Sequence, residues 1–213
     1  MLKIKSFVFN PIQENTYLLY NGFNHCMVID PGCYFPYEQD ELTGFITQSG
    51  LKPVMLLNTH CHLDHVFGNR HIAEQYGLTL QLHKKEKPLL DYAPASGLMY
   101  DLPFDNYAGE YIFLQDGDVI KLDDDELEVI EAPGHSPGHI CFYCAKQGFV
   151  ISGDVLFNRS IGRTDLPGGN HLALLKNIRE KLFVLPGDTI VYSGHGPTTT
   201  IAEEKLHNPF LME

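Results

Sequence analysis

The segment NTHCHLDHVFGN, residues 58–69, places His60, His62, Asp64 and His65 within six positions. Imidazoles this close repel one another once protonated, so the crowding calls for a compensating partner, and a divalent cation is the obvious one. In an extended chain, residues two apart point the same way, so His60, His62 and Asp64 can converge while Cys61 and Leu63 point elsewhere. His65 then starts a turn or helix and approaches from another side. Three ligands serve one ion, and a fourth from a second direction suggests two.

Zinc takes about four ligands, so more are needed. The chain supplies His135 in EAPGHSPGH, Asp154 in VISGDVLF and His195 in VYSGHGP, each just past an apolar run and beside glycine. A single Gly-His or Gly-Asp turn is common, but its recurrence at strand ends, where functional side chains gather, points to one purpose. A consistent partition gives His60, His62 and His135 to one ion and Asp64, His65 and His195 to the other, with Asp154 bridging. Two ions about 3.5–4 Å apart would lower the pKa of a shared water, keep it as hydroxide near neutral pH and polarise a substrate oxygen. Asp64 and Asp154 are the carboxylates nearest that chemistry. Ligation by nitrogen and oxygen suits two divalent ions, zinc foremost, with iron or manganese compatible. His25, His71, His83, His139, His171 and His207 lack this arrangement, although His139, four residues after His135, could support a ligand.

These residues need elements to hold them. Apolar runs predict strands at LKIKSFVF, NTYLLYN, HCMVIDPG, PVMLLNTH, LTLQLH, EYIFLQ, ELEVIEAPG, HICFYC, GFVISGD and TIVYSGHG. Helices are predicted at PYEQDELTGFITQSG, opened by Pro36 and closed by Gly50, and at HVFGNRHIAEQYG. A third, NHLALLKNIREKLFVL, would align Leu172, Leu175, Ile178 and Leu182, and TTTIAEEKLHNP reads as a capped last helix. Strands followed by helices, twice over, give an α/β chain of one domain with two halves. Residues 91–110 show no clear periodicity and are expected to be a long loop, either a lid or a cover for the core edge.

Composition narrows the function. A net charge of −12 disfavours nucleic acid as a partner, and no apolar run approaches the roughly 20 residues that span a bilayer. The opening MLKIKSFVFN is too short and too charged for a signal peptide and reads as a strand. Five cysteines without a scaffold spacing suit a reducing cytoplasm, and the CxxC at Cys141 and Cys144 lies in a strand that would send its sulfurs to opposite faces. The expected partner is therefore a small-molecule substrate, neither nucleic acid nor membrane, with the oligomeric state open.

HxHxDH at 60–65, followed in order by His135, Asp154 and His195, resembles the metallo-β-lactamase fold superfamily. NTHCHLDHVFGN, APGHSPGH and GDVLFNRSIGRTDLPGGN are most similar to its glyoxalase II-like branch, the hydroxyacylglutathione hydrolases and their short relatives. The resemblance implies a four-layer αβ/βα sandwich with a dinuclear site at one edge, and the same ligand assignment. It also implies a thioester or related acyl hydrolase in which a bridging hydroxide attacks the carbonyl carbon. Asp154 stands where well-known β-lactamases carry a metal-binding cysteine, which disfavours antibiotic hydrolysis. Only 18 residues follow His195, so the helical extension that helps glyoxalase II bind glutathione is not expected. Arg163 could contact an anionic substrate group, or pair with Asp165. The alternatives are a persulfide dioxygenase of the same fold, with one iron on His60, His135 and Asp154, a lactone hydrolase, and a non-catalytic binding protein.

Overall fold

Each predicted strand is present in the computed structural model, which describes residues 1–212. The chain divides into two compact units, Met1–Leu114 with Lys121–Asp125, and Gln115–Ile120 with the residues from Glu126 onward.

In the first unit, β1 (Lys3–Phe9), β2 (Glu14–Tyr20) and β3 (His25–Ile29) form an antiparallel meander. Helix α1 (Pro36–Gln48) then leads to β4 (Lys52–Leu57), parallel to β3. A four-residue helix, α2 (Leu63–Val66), and α3 (Asn69–Tyr76) lead to β5 (Leu80–His83). Helix α4 (Lys87–Met99) leads to β6 (Tyr111–Leu114), and the six strands lie in sequential order. Leu18, Val28, Leu56 and Leu80 pack against Leu42 and Ile46 of α1, Ile72 of α3 and Leu90 of α4, so the helices share one face of the sheet. The single helix predicted across residues 65–77 is thus two helices, broken at Phe67–Gly68. A Cβ on Gly68 would lie 2.4 Å from the Cys33 sulfur, so the chain can pass there only with glycine.

Helix α4 corrects the expectation of a loop at 91–110. Its buried positions, Leu90, Ala93 and Gly97, are mostly small, and Pro94 stands within it, so its stripe carries little hydrophobic signal. The irregular part is confined to residues 100–110. There Tyr107 is buried, donating its hydroxyl to the Glu110 carbonyl and accepting the Leu80 N–H.

In the second six-stranded sheet, β7 (Val119–Leu122) and β8 (Asp125–Glu131) precede β9 (Ile140–Cys144) and β10 (Phe149–Gly153). A small hairpin follows, β11 (Leu156–Phe157) and β12 (Ser160–Ile161). Helix α5 (His171–Asn177) continues as a π turn over Ile178–Leu182, and β13 (Ile190–Ser193), β14 (Thr199–Thr200) and α6 (Ile201–His207) complete the second unit. The sheet order is β14-β13-β10-β9-β8-β7, with β13 parallel to β10. Cys141, Val150 and Val191 pack against Leu174, Ile178, Leu182 and Ile201. The buried stripe of α5 therefore runs through Leu174, while Leu172 is 78% exposed, contrary to expectation. Spacings of four from Leu174 to Ile178 to Leu182 outcompete the three-residue step from Leu172.

Helix α6 begins where the Thr200 hydroxyl accepts the Glu203 N–H. Its buried Glu204 accepts from the Thr199 hydroxyl, the Arg159 N–H and the Asn208 amide, and Asn208 also donates to the Ser160 carbonyl. The last helix thereby fastens the hairpin that follows Asp154. Among the described residues all five cysteines remain thiols, and no helix is long and apolar enough to cross a membrane.

Candidate metal centre

Strand β4 ends at Leu57, the chain bends at Thr59, and His62, with an extended backbone of ψ 154°, stands at the N-cap of α2. That path gives His60 and His62 neighbouring rings, 4.8 Å apart and nearly perpendicular, as the two-residue spacing predicts. Helix α2 then turns the chain so that the His65 ring lies 4.1 Å from that of His60. His65 Nε2 stands 3.6 Å from Asp64 Oδ2. The first unit thus gathers the four residues of the HxHxDH segment in one place, with His60, Asp64 and His65 buried.

A residue that the sequence reading missed organises this cluster. Asp30, at the end of β3, accepts the Thr59 N–H at 2.7 Å on Oδ1 and the Thr59 hydroxyl at 2.6 Å on Oδ2. Oδ2 is also 3.1 Å from His65 Nδ1, and the Thr59 oxygen is 3.0 Å from His60 Nδ1. With its own proton given to Asp30, Thr59 accepts from His60 Nδ1–H. Both rings therefore carry their proton on Nδ1 and keep the lone pair on Nε2, the atom that could serve a metal. Asp30 does this from a left-handed backbone, φ 50°, the kind of strain that the surrounding contacts must hold in place. Its signal in the sequence was VIDPG, a strand-end aspartate resembling that of VISGD.

Helix α2 is too short to satisfy its own carbonyls, and side chains do so instead. The Asn10 amide donates to the Asp64 and Gly32 carbonyls, and the Asn58 amide donates to the His65 carbonyl. Glu86 accepts the Cys61 N–H between His60 and His62. A Cβ on Gly32 would sit 2.0 Å from Glu14 Oε2 and 2.5 Å from the Asp64 carbonyl, so the backbone after Asp30 can approach only as glycine. Glu14 is completely buried 3.8 Å from His65 Nδ1, and burial pushes its carboxyl well above the usual carboxylate range.

The second unit gathers the other three candidates. His135 follows β8, Asp154 follows β10, and His195 follows β13; the Gly194 N–H bonds to the Gly153 carbonyl and aligns the latter two strand ends. His135 Nδ1 donates to the Arg163 carbonyl at 2.8 Å, again keeping the lone pair on Nε2, the atom that could serve a metal. One oxygen, Asp154 Oδ2, lies 3.5 Å from His135 Nε2 and 3.6 Å from His195 Nε2. His139, also buried, accepts the Asp154 N–H on Nε2 at 3.1 Å.

These separations fit metal ligation better than direct hydrogen bonding. A hydrogen bond closes at roughly 2.7–3.2 Å. Two ligands about 2.0–2.1 Å from a tetrahedral ion stand about 3.3 Å apart, close to the separations found. Imidazole nitrogens with fixed tautomers and carboxylate oxygens form a donor set suited to zinc, iron or manganese.

Arg163 acts through its backbone on His135, while its guanidinium forms a two-pronged pair with Asp165, 2.7 Å on each side. These bonds hold the Asp165 carboxyl down at about 2. Of the two readings of Arg163, the ion pair is therefore the one its side chain adopts.

The metallo-beta-lactamase superfamily profile matches residues 9–195, which include every one of these ligand candidates. The chain belongs to the metallo-beta-lactamase superfamily. Within it, the chain is 39% identical over 203 residues to a probable metallo-hydrolase, YqgX, of Bacillus subtilis, covering 94% of this chain and 93% of that one. It is 37% identical to the hydroxyacylglutathione hydrolase GloC of Haemophilus influenzae, covering 93% of each. Among solved structures it is similar to BLEG-1, described as a B3 metallo-beta-lactamase, with TM-score 0.91 and 37% identity over 99% of this chain and all of that one. TTHA1623 in a di-iron-bound form matches with TM-score 0.88 and 36% identity over 97% of this chain and all of that one. The fold is that of this metallo-hydrolase superfamily, as the sequence resemblance implied, and it is a metal-binding fold.

Proposed function

We propose that the protein is a dinuclear metal-dependent hydrolase of a thioester or related acyl substrate. The observation that carries this reading is the single Asp154 oxygen facing the Nε2 atoms of both His135 and His195. An oxygen so placed suits a carboxylate shared between two ions. The ligand chemistry supports His60, His62 and His135 for one ion and Asp64, His65 and His195 for the other, with Asp154 common to both. Zinc is the first candidate, and the di-iron form of TTHA1623 makes iron the second.

Two ions bound there would supply an activated water and polarise the acyl oxygen. The chain's own part is to hold the donors still. Asp30 and the Arg163 carbonyl fix imidazole tautomers, and Asn10 and Asn58 fix the helix that bears Asp64 and His65. A thiolate leaving group needs little protonation, which agrees with a reading that assigns no separate general acid. The similarity to GloC favours an acylated thiol such as a glutathione thioester as substrate.

The test is thioester hydrolysis by metal-loaded protein, with a cephalosporin as a comparison substrate because of the likeness to BLEG-1. Wild type should cleave the thioester, and Asp154→Ala or His60→Ala should abolish cleavage while the apo proteins stay folded. Near-normal turnover in either pure variant would sink the reading. Oxygen uptake with glutathione persulfide by a one-iron sample, without thioester cleavage, would replace it with the dioxygenase.

A further inference from the structure

We propose that His139 is a positioning residue for Asp154 and sets how tightly the second unit holds its metal. The inference rests on reading Asp154 as a ligand. His139 ends the segment that carries His135, and its carbonyl accepts the Ala132 N–H at 2.9 Å, closing that loop. Its imidazole, with no exposed surface, accepts the Asp154 N–H at 3.1 Å. One side chain thus ties the His135 loop to the strand end that bears Asp154.

The Asp154 N–H requires this help. Strand β10 ends at Gly153, where φ is 48°, and the chain there leaves the regular ladder. As an acceptor at Nε2, His139 must carry its proton on Nδ1, so it works as a neutral ring with fixed orientation. Turning the Asp154 peptide would swing Oδ2 away from one of the two imidazoles it faces. Sites of this kind tolerate only about 0.5 Å of displacement before their geometry fails. Lost outer partners typically weaken metal binding by about 10- to 100-fold.

Two variants separate positioning from bulk packing. His139→Leu fills the space but offers no acceptor, whereas the Oε1 of His139→Gln can take the same N–H. Zinc affinity by chelator competition, the visible spectrum of the cobalt-substituted protein and the melting temperature of the apo protein would be measured for each. His139→Leu should bind zinc about 10- to 100-fold more weakly with an altered cobalt spectrum, and His139→Gln should recover most of both. Wild-type affinity in His139→Leu, or equal loss in both variants, overturns the proposal. If His139→Leu does not fold, His139→Gln decides alone: near-wild-type affinity upholds the proposal and weak binding overturns it. A wild-type protein that takes up no zinc would overturn the metal reading itself, and this inference with it.

Discussion

Asp30 Oδ2 lies 3.1 Å from His65 Nδ1 while accepting the Thr59 hydroxyl, so one buried carboxylate sets the tautomers of two histidines five residues apart. Such a carboxylate makes each imidazole a better donor and holds its ring in one orientation.

Replacing Asp30 with alanine should weaken zinc binding about 10- to 100-fold. The apo protein should also lose on the order of 3 kcal/mol, because the Thr59 N–H and the His65 ring lose a buried partner. Chelator competition and urea denaturation measure the two effects separately. Unchanged zinc affinity with lowered apo stability would leave Asp30 a structural residue only.

Gly162 is a second sensitive point. A Cβ there would meet the Asp154 carbonyl at 1.9 Å and His135 Nδ1 at 2.9 Å. Gly162→Ala should destabilise the fold by about 1–3 kcal/mol through overpacking. It should also lower the metal content, since the displaced groups belong to two of the proposed ligands. Denaturation and elemental analysis of the same preparation check both.

Arg163→Ala should behave differently, because the part of Arg163 that touches His135 is its carbonyl. Metal content should stay at the wild-type level. The Asp165 carboxyl, held at about 2, should rise toward its ordinary 3.8. A carboxyl lowered in the folded state adds stability above its unfolded value and loses it as pH falls through about 2. Both side chains are exposed, so the change belongs in an NMR titration of Asp165 and hardly at all in the melting temperature. Loss of substrate affinity in this variant at full metal occupancy would favour the substrate-contact reading of Arg163.

The α5 stripe offers a packing test. Leu174→Ala should cost about 2–5 kcal/mol, because Leu174 is wholly buried against Ile178 and the sheet. Leu172→Ala, at an exposed position, should fall within about 0.5 kcal/mol of wild type. Chemical denaturation distinguishes the two, and the reverse order would restore the stripe predicted from spacing alone.

Much of the candidate centre was legible because its candidate ligands stand at strand ends, where apolar runs stop and glycine begins. His60 and His62 could be read from strand alternation, and Asp154 from the turn after VISG. Asp30 was harder to see, since a lone aspartate before Pro-Gly is also an ordinary turn. The fold was legible where a strand is continuously apolar, as in β9 and β10. It was obscured in α4, whose buried face uses alanine and glycine, and in α5, where leucines at 172, 174 and 175 allow two phases. Short strands such as β11 and β14 depend on partners far away in the chain, and no local pattern announces them.

The grip of Glu204 on the Arg159 N–H, and of Asn208 on the Ser160 carbonyl, bears on the order of events during synthesis. Domains form as the chain emerges from the ribosome, N-terminal parts first. The HxHxDH segment is made more than a hundred residues before α6, so its imidazoles can gather while translation continues. The hairpin beyond Asp154 is fastened only once α6 has emerged. A nascent chain therefore brings its first candidate ligands together early, whereas the strand end that carries Asp154 is secured only after α6 has been made.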